Sequence, residues 1–209
     1  MAKIVPAILA SNPEEYQQKI RLVRQLTDRY QLDVIDSEYA DNPTLDLRQI
    51  EPRRDMLCDV HLMSRRPLHY LNDILALKPH MVIFQYEGAE DLVSALEKVK
   101  ARGVLVGLAL NPATEVDEVG SLLPQIDHVL IMAYTAGFAG QTLQPKVLKK
   151  ADTTRQLAPT LEVGLDGGVS EDTLAKIAKA KFDVVNTNSY LFGSDDVLSR
   201  YSELMEALA

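Results

Sequence analysis

Hydrophobic positions along the chain follow two alternating patterns. Short β-branched runs recur at Ile4–Leu9, Leu32–Asp36, Met56–Met63, Met81–Tyr86, Val104–Leu110, His128–Ala133, Leu161–Asp166 and Asp183–Thr187. Between them lie longer stretches whose apolar residues step by three or four. Examples are Tyr16, Ile20, Val23 and Leu26; Leu92, Leu96 and Val99; and Val197, Tyr201, Leu204 and Leu208. The short runs predict buried strands, and the stepped stretches predict helices with one apolar face. Asn12 is an N-cap signal, followed by Pro13 and Glu15 in the first turn. Ser170 opens another helix, with Glu171 and Asp172 at its positive end. The stretch from Asn42 to Asp55 holds Pro43 and Pro52, so it predicts mostly loop with a short helical turn.

The strand runs recur about every 26 residues, enough for one strand, one helix and two turns. Eight such units predict an α/β fold, a single-domain (β/α)8 TIM barrel over residues 1–209. A doubly wound open sheet competes, but it has fewer strands and usually a glycine-rich first turn. Here Ala10-Ser11-Asn12-Pro13 follows the first strand run.

Composition narrows the partners. The formal charge is −8, from 22 basic and 30 acidic residues. Such a surface repels polyanions, so no nucleic acid is expected. No apolar run reaches the roughly 18 to 20 residues of a spanning helix, so no membrane partner is expected. The first residues do not read as a secretory signal. Cys58 is the single cysteine and reads as a small core residue; a cytoplasmic protein is the expectation.

In a barrel the chemistry sits at the C-terminal ends of the strands. Strand alternation places Gln31, Asp33 and Ile35 on one face, and Asp59, His61 and Met63 on another. Asp166 precedes Gly167 and Gly168, and Met132 lies near the end of the sixth run. Each has a plain structural explanation when taken singly: a cap, a hydrogen-bonded histidine, a gap-filling methionine. Together, Asp33, His61 and Asp166 come from three strand ends and suit Zn²⁺, Mn²⁺ or Fe²⁺. Two carboxylates across a barrel mouth also suit proton removal beside a carbonyl and its return to the opposite face. Turns at Gly137–Gly140 and Gly167-Gly168, with Asn188 and Ser189, are candidates for holding phosphate. Asp36, Glu38 and Asp41 read as a solvated loop, and His69, His80 and His128 read as structural.

Over nearly its whole length the chain resembles the ribulose-phosphate 3-epimerase family. The resemblance rests on Pro6–Leu9, Leu32–Asp36 with Asn42, Asp59–Met63, Leu110–Thr114, Val129–Met132, Gly137–Gln141, Asp166–Val169 and Leu191–Gly193, in the family's order and spacing. It implies a barrel that interconverts D-ribulose 5-phosphate and D-xylulose 5-phosphate, with a divalent metal (Zn, Mn or Fe) stabilising an enediolate. Asp33 and Asp166 would be the acid/base pair and also metal ligands, with His61 as a further ligand. Met63 and Met132 would line the site; Ala139, Gly140, Gly167, Gly168, Asn188 and Ser189 would meet the phosphate of the sugar-phosphate substrate. The family often assembles, which leaves a homo-oligomer open.

The chain departs from the family pattern at the mouth. Gln31 stands for a metal-binding histidine, and an amide oxygen is a weaker donor than imidazole. Ala7 replaces a serine, Ile35 a methionine and Gln85 a histidine. Thr135-Ala136 replaces Asn-Pro, Gly164 an acidic residue, and Asn188 and Ser37 glycines. Two alternatives to the epimerase reading follow: a catalytically impaired or inactive homologue, or an epimerase for a different ketose phosphate. Decarboxylation is not expected, because Asp59–Ser64 lacks the lysine and second aspartate of the related Asp-x-Lys-x-x-Asp pattern.

Overall fold

The strand runs pair in parallel, each with the next, and the eighth returns to the first. They are β1 (Lys3–Ile8), β2 (Arg29–Ile35), β3 (Leu57–Met63), β4 (Met81–Gln85), β5 (Leu105–Leu110), β6 (His128–Met132), β7 (Glu162–Asp166) and β8 (Val184–Thr187). The result is the predicted (β/α)8 barrel, in a computed structural model that describes residues 2–136 and 143–208.

Among the described residues the helices are α1 (Pro13–Leu26), α2 (Pro67–Ala76), α3 (Leu92–Lys100), α4 (Lys150–Leu157), α5 (Glu171–Ala180), α6 (Ser189–Phe192) and α7 (Val197–Ala207). The start of α1 follows its sequence signal: Asn12 Oδ1 accepts the Glu15 N–H at 2.9 Å. Two crossovers depart from strict β-then-α alternation. After β2 there is a single 3₁₀ turn at Leu47–Gln49, as Pro43 and Pro52 predict. After β5 there are two 3₁₀ turns, Val116–Val119 and Leu123–Gln125, where Pro124 and Gly120 do not favour a longer helix. No described helix is long and apolar enough to cross a membrane.

Strand alternation divides the apolar residues into two cores. Outward-facing residues such as Val60, Leu62, Val82, Phe84, Leu108 and Val129 pack beneath the helices. Inward-facing Ile35, Met63, Met81, Ile83, Ala109, Leu130 and Met132 fill part of the barrel. Cys58 is buried and free, as expected of a core residue.

The N-terminal end of the barrel is closed by charge. Arg29 donates through Nε to Asp59 Oδ2 at 2.7 Å, and through its two terminal nitrogens to Glu162 at 2.8 and 2.7 Å. Nδ1 of His128 lies 3.0 Å from Glu162 Oε2. His128 therefore sits at the barrel base, as its structural reading requires. A fork of guanidinium donors facing two carboxylates satisfies charges that would be costly to bury alone.

Candidate active site at the barrel mouth

Register brings the predicted residues to one level. Asp33 on β2 lies directly beside His61 on β3, and Asp166 on β7 lies between Met132 on β6 and Asn186 on β8. The side chains of Asp33, His61 and Asp166 converge, with ligand atoms all within 4.8 Å of one another. Nδ1 of His61 lies 3.5 Å from Asp33 Oδ1 and 3.5 Å from Asp166 Oδ2. The three residues are buried beneath a cleft lined by Ile35, Met63, Met132, Tyr134, Asn188 and Ser189, among others.

Electrostatics follow from this crowding. Burial raises the pKa of the Asp33 carboxyl; His61 opposes the rise, and the neighbouring Asp166 adds to it. Burial pushes the His61 imidazole pKa down, but the adjacent Asp166 and Asp33 carboxylates outweigh it and lift it to about 10; a cation bound at Nδ1 would take the place of that proton. Burial also raises the Tyr134 phenol above its usual range, and the Asp166 charge adds to this.

The donor set suits a divalent cation. Nδ1 of His61 is buried without a hydrogen-bond partner, and it faces one oxygen of each carboxylate. A ring nitrogen and two carboxylate oxygens at this spacing form the side-chain set that Zn²⁺, Mn²⁺ or Fe²⁺ favours. Gln31 lies two residues deeper on β2, in register with Asp59, and its amide reaches up to the carboxylates with nitrogen rather than oxygen. Its Nε2 donates to Asp33 Oδ1 at 2.7 Å and to Asp166 Oδ2 at 2.8 Å.

The remaining predicted residues fall at the rim. Met63 and Met132 are buried in the inner core and form part of the cleft wall. Gly167 and Gly168 adopt φ of +79° and +67°, and both approach neighbours closely. A Cβ on Gly167 would lie 2.6 Å from the Tyr134 hydroxyl, and one on Gly168 would lie 2.8 Å from the Ala133 Cβ. The Gly167 N–H donates to the Asn186 carbonyl at 3.1 Å, so it is engaged within the sheet. Asn188 precedes α6, and its carbonyl accepts from Leu191 and Phe192. Ala139 and Gly140 lie outside the described residues.

The loop after β2 corrects one expectation. Asp36 is buried rather than solvated: its Oδ1 accepts the N–H groups of Glu38 at 2.9 Å and Tyr39 at 2.7 Å. A short carboxylate at the head of a turn satisfies local backbone donors, which offsets its loss of water. Glu38 is exposed and pairs with Arg66, and Asp41 is exposed.

Sequence reasoning missed Asn186. Its Nδ2 donates to Gln31 Oε1 at 2.6 Å. The available signal was a polar residue alternating with Val184 on the inward face of β8. Glu87, just after β4, anchors the Gln85 amide and accepts the Asn111 N–H at 2.8 Å.

Residues 3–192 match the ribulose-phosphate 3-epimerase family. A ribulose-phosphate 3-epimerase from Schizosaccharomyces pombe is 29% identical over 198 residues, covering 91% of this chain and 87% of its own. One from Helicobacter pylori is 28% identical over 201 residues, covering 93% and 92%. The crystal structure of a 3-hexulose-6-phosphate synthase superposes with a TM-score of 0.72 at 16% identity, covering 99% of this chain and 100% of that one, a likeness of fold. With its barrel closed and its mouth residues assembled, the chain belongs to the ribulose-phosphate 3-epimerase family.

Proposed function

We propose that this protein is an isomerase, a sugar-phosphate 3-epimerase that interconverts D-ribulose 5-phosphate and D-xylulose 5-phosphate. The observation carrying this reading is the placement of Asp33 and Asp166 on β2 and β7, both buried at the mouth and bracketing His61. Family membership and the names of the relatives support the substrate class.

The reaction needs a base on one face of C3 and an acid on the other. One aspartate takes the C3 proton, and the electron pair of that C–H bond forms the C2–C3 double bond as the C2 carbonyl π pair moves onto its oxygen, giving an enediolate. The other aspartate delivers a proton to C3 from the opposite face, and the double bond returns to the C2 carbonyl. Stereochemistry at C3 inverts with no net change in atoms or electrons. Asp33, His61 and Asp166 would hold a divalent cation, which when bound would supply positive charge to stabilise the enediolate. Met63 and Met132 exclude water from the reacting carbon, and Tyr134 lies at the cleft wall. Gly167, Gly168, Asn188 and Ser189 line the part of the cleft where the phosphate would sit.

The decisive experiment follows ribulose 5-phosphate in D₂O by NMR, with protein loaded in turn with Zn²⁺, Mn²⁺ and Fe²⁺. Deuterium at C3 and the appearance of xylulose 5-phosphate are expected. Neither exchange nor product with any of the metals would reject the proposal.

A further inference from the structure

Gln31 lies fully buried with its amide between two carboxylates. Both N–H bonds are used, one toward Asp33 and one toward Asp166. Ionised carboxylates only accept, so they select the nitrogen side of the amide. The oxygen side is thereby turned away and accepts from Asn186 Nδ2.

An amide coordinates a divalent cation through its oxygen. As held, Gln31 is a bridging donor rather than a ligand. Turning it would set its N–H₂ against the N–H₂ of Asn186. Turning both would restore that contact, but at a cost. Asn186 Oδ1 is buried without a partner, and the reversal would bury an N–H₂ group there instead. An orphaned buried N–H is rarer in proteins than an under-satisfied carbonyl. The contact spans β1, where Ala7 is paired with Gln31 and contributes only a methyl group.

We propose that Asn186 is a positioning residue that sets the affinity of this centre for a divalent cation. It does so by holding the Gln31 amide with its nitrogen, not its oxygen, toward Asp33 and Asp166. The inference concerns the centre used in the proposed reaction and rests on that reading, but cation binding is measured apart from turnover.

The test is titration with Co²⁺, read by its visible d–d absorption, on the unsubstituted chain, Asn186→Leu and Asn186→Asp. Each is repeated in a Gln31→Leu background. Asn186→Leu removes the donor that holds the oxygen away, and a gain of about fivefold in Co²⁺ affinity is expected, the worth of one hydrogen bond. Asn186→Asp puts a group there that only accepts and so draws the Gln31 nitrogen outward; a gain of about ten- to a hundredfold is expected. Both gains should vanish when Gln31 is replaced by leucine. Unchanged Co²⁺ affinity in both single variants would overturn the proposal. So would an equal gain without Gln31, which would assign the effect to altered charge or packing. Asn186→Leu adds no charge and decides the matter if circular dichroism shows Asn186→Asp unfolded. Absent turnover of ribulose 5-phosphate would count against the proposed reaction and leave these affinities to decide the role of Asn186.

Discussion

The Gln85 amide oxygen stands 3.1 Å from Nε2 of His61 and leaves the other ring nitrogen, Nδ1, facing Asp33 and Asp166. The direction of the Gln85 amide is itself set, because its Nε2 donates to Glu87 and, at 3.3 Å, to the Ala109 carbonyl. An accepting oxygen at Nε2 keeps a proton there and makes Nδ1 the nitrogen available to a cation. Replacing Gln85 with leucine should weaken Co²⁺ binding by about ten- to a hundredfold. A spectroscopic titration checks this, and unaltered affinity would show that packing alone orients His61.

The two carboxylates should separate by the direction of reaction. With Asp33→Asn or Asp166→Asn, interconversion of the two pentulose phosphates should fall by about 10²- to 10⁴-fold. Each variant retains one base. One variant should therefore still exchange the C3 proton of ribulose 5-phosphate with solvent, and the other that of xylulose 5-phosphate. Deuterium incorporation into each substrate, measured by NMR, distinguishes this from one aspartate serving both faces.

Acid stability should report the barrel base. Burial would raise the Glu162 pKa, but hydrogen bonds and charges from Arg29 and His128 overcome this and hold it well below the usual carboxylate range. A pKa lower in the folded than in the unfolded chain stabilises the fold at pH above the ordinary value of 4.5. That stabilisation is lost as pH falls below 4.5 toward the folded value. Asp59 acts in the opposite sense, because burial raises its pKa despite Arg29. Thermal melts of the unsubstituted protein should steepen in their decline below pH 4.5, and Glu162→Gln should flatten that limb while lowering stability at pH 7.

Gly164 is where the family carries an acidic residue, and the structure shows what occupies that space. A Cβ there would lie 2.8 Å from His128 Nε2 and 2.9 Å from a Leu130 methyl. Gly164→Ala should destabilise the fold by about 1–3 kcal/mol through overpacking. Urea unfolding gives the measure, and Gly164→Ala combined with His128→Ala should recover part of the loss.

The sequence made the mouth legible because its residues obey a local rule. Alternation along β2 and β3 put Asp33 and His61 on inward faces, and the barrel geometry needed only the count of strands to bring them to one end. Gln85 and Gly164 were visible as departures but carried no assignment. Their roles depend on His61 and His128, which belong to other strands. Asp36 was misjudged because its burial arises from a turn that folds its own backbone donors onto the carboxylate.

Strand number, helix faces and the identities of the converging carboxylates and imidazole were determined by the sequence itself, since periods of two and of three to four residues are set by backbone geometry within each segment. The direction of the Gln31 amide was decided only in the closed barrel. Asn186 lies 155 positions further along the chain, and Glu162 lies 133 positions beyond Arg29. Hydrogen bonds are short and directional, so such partners are chosen by the register and closure of the strands, which no local pattern specifies.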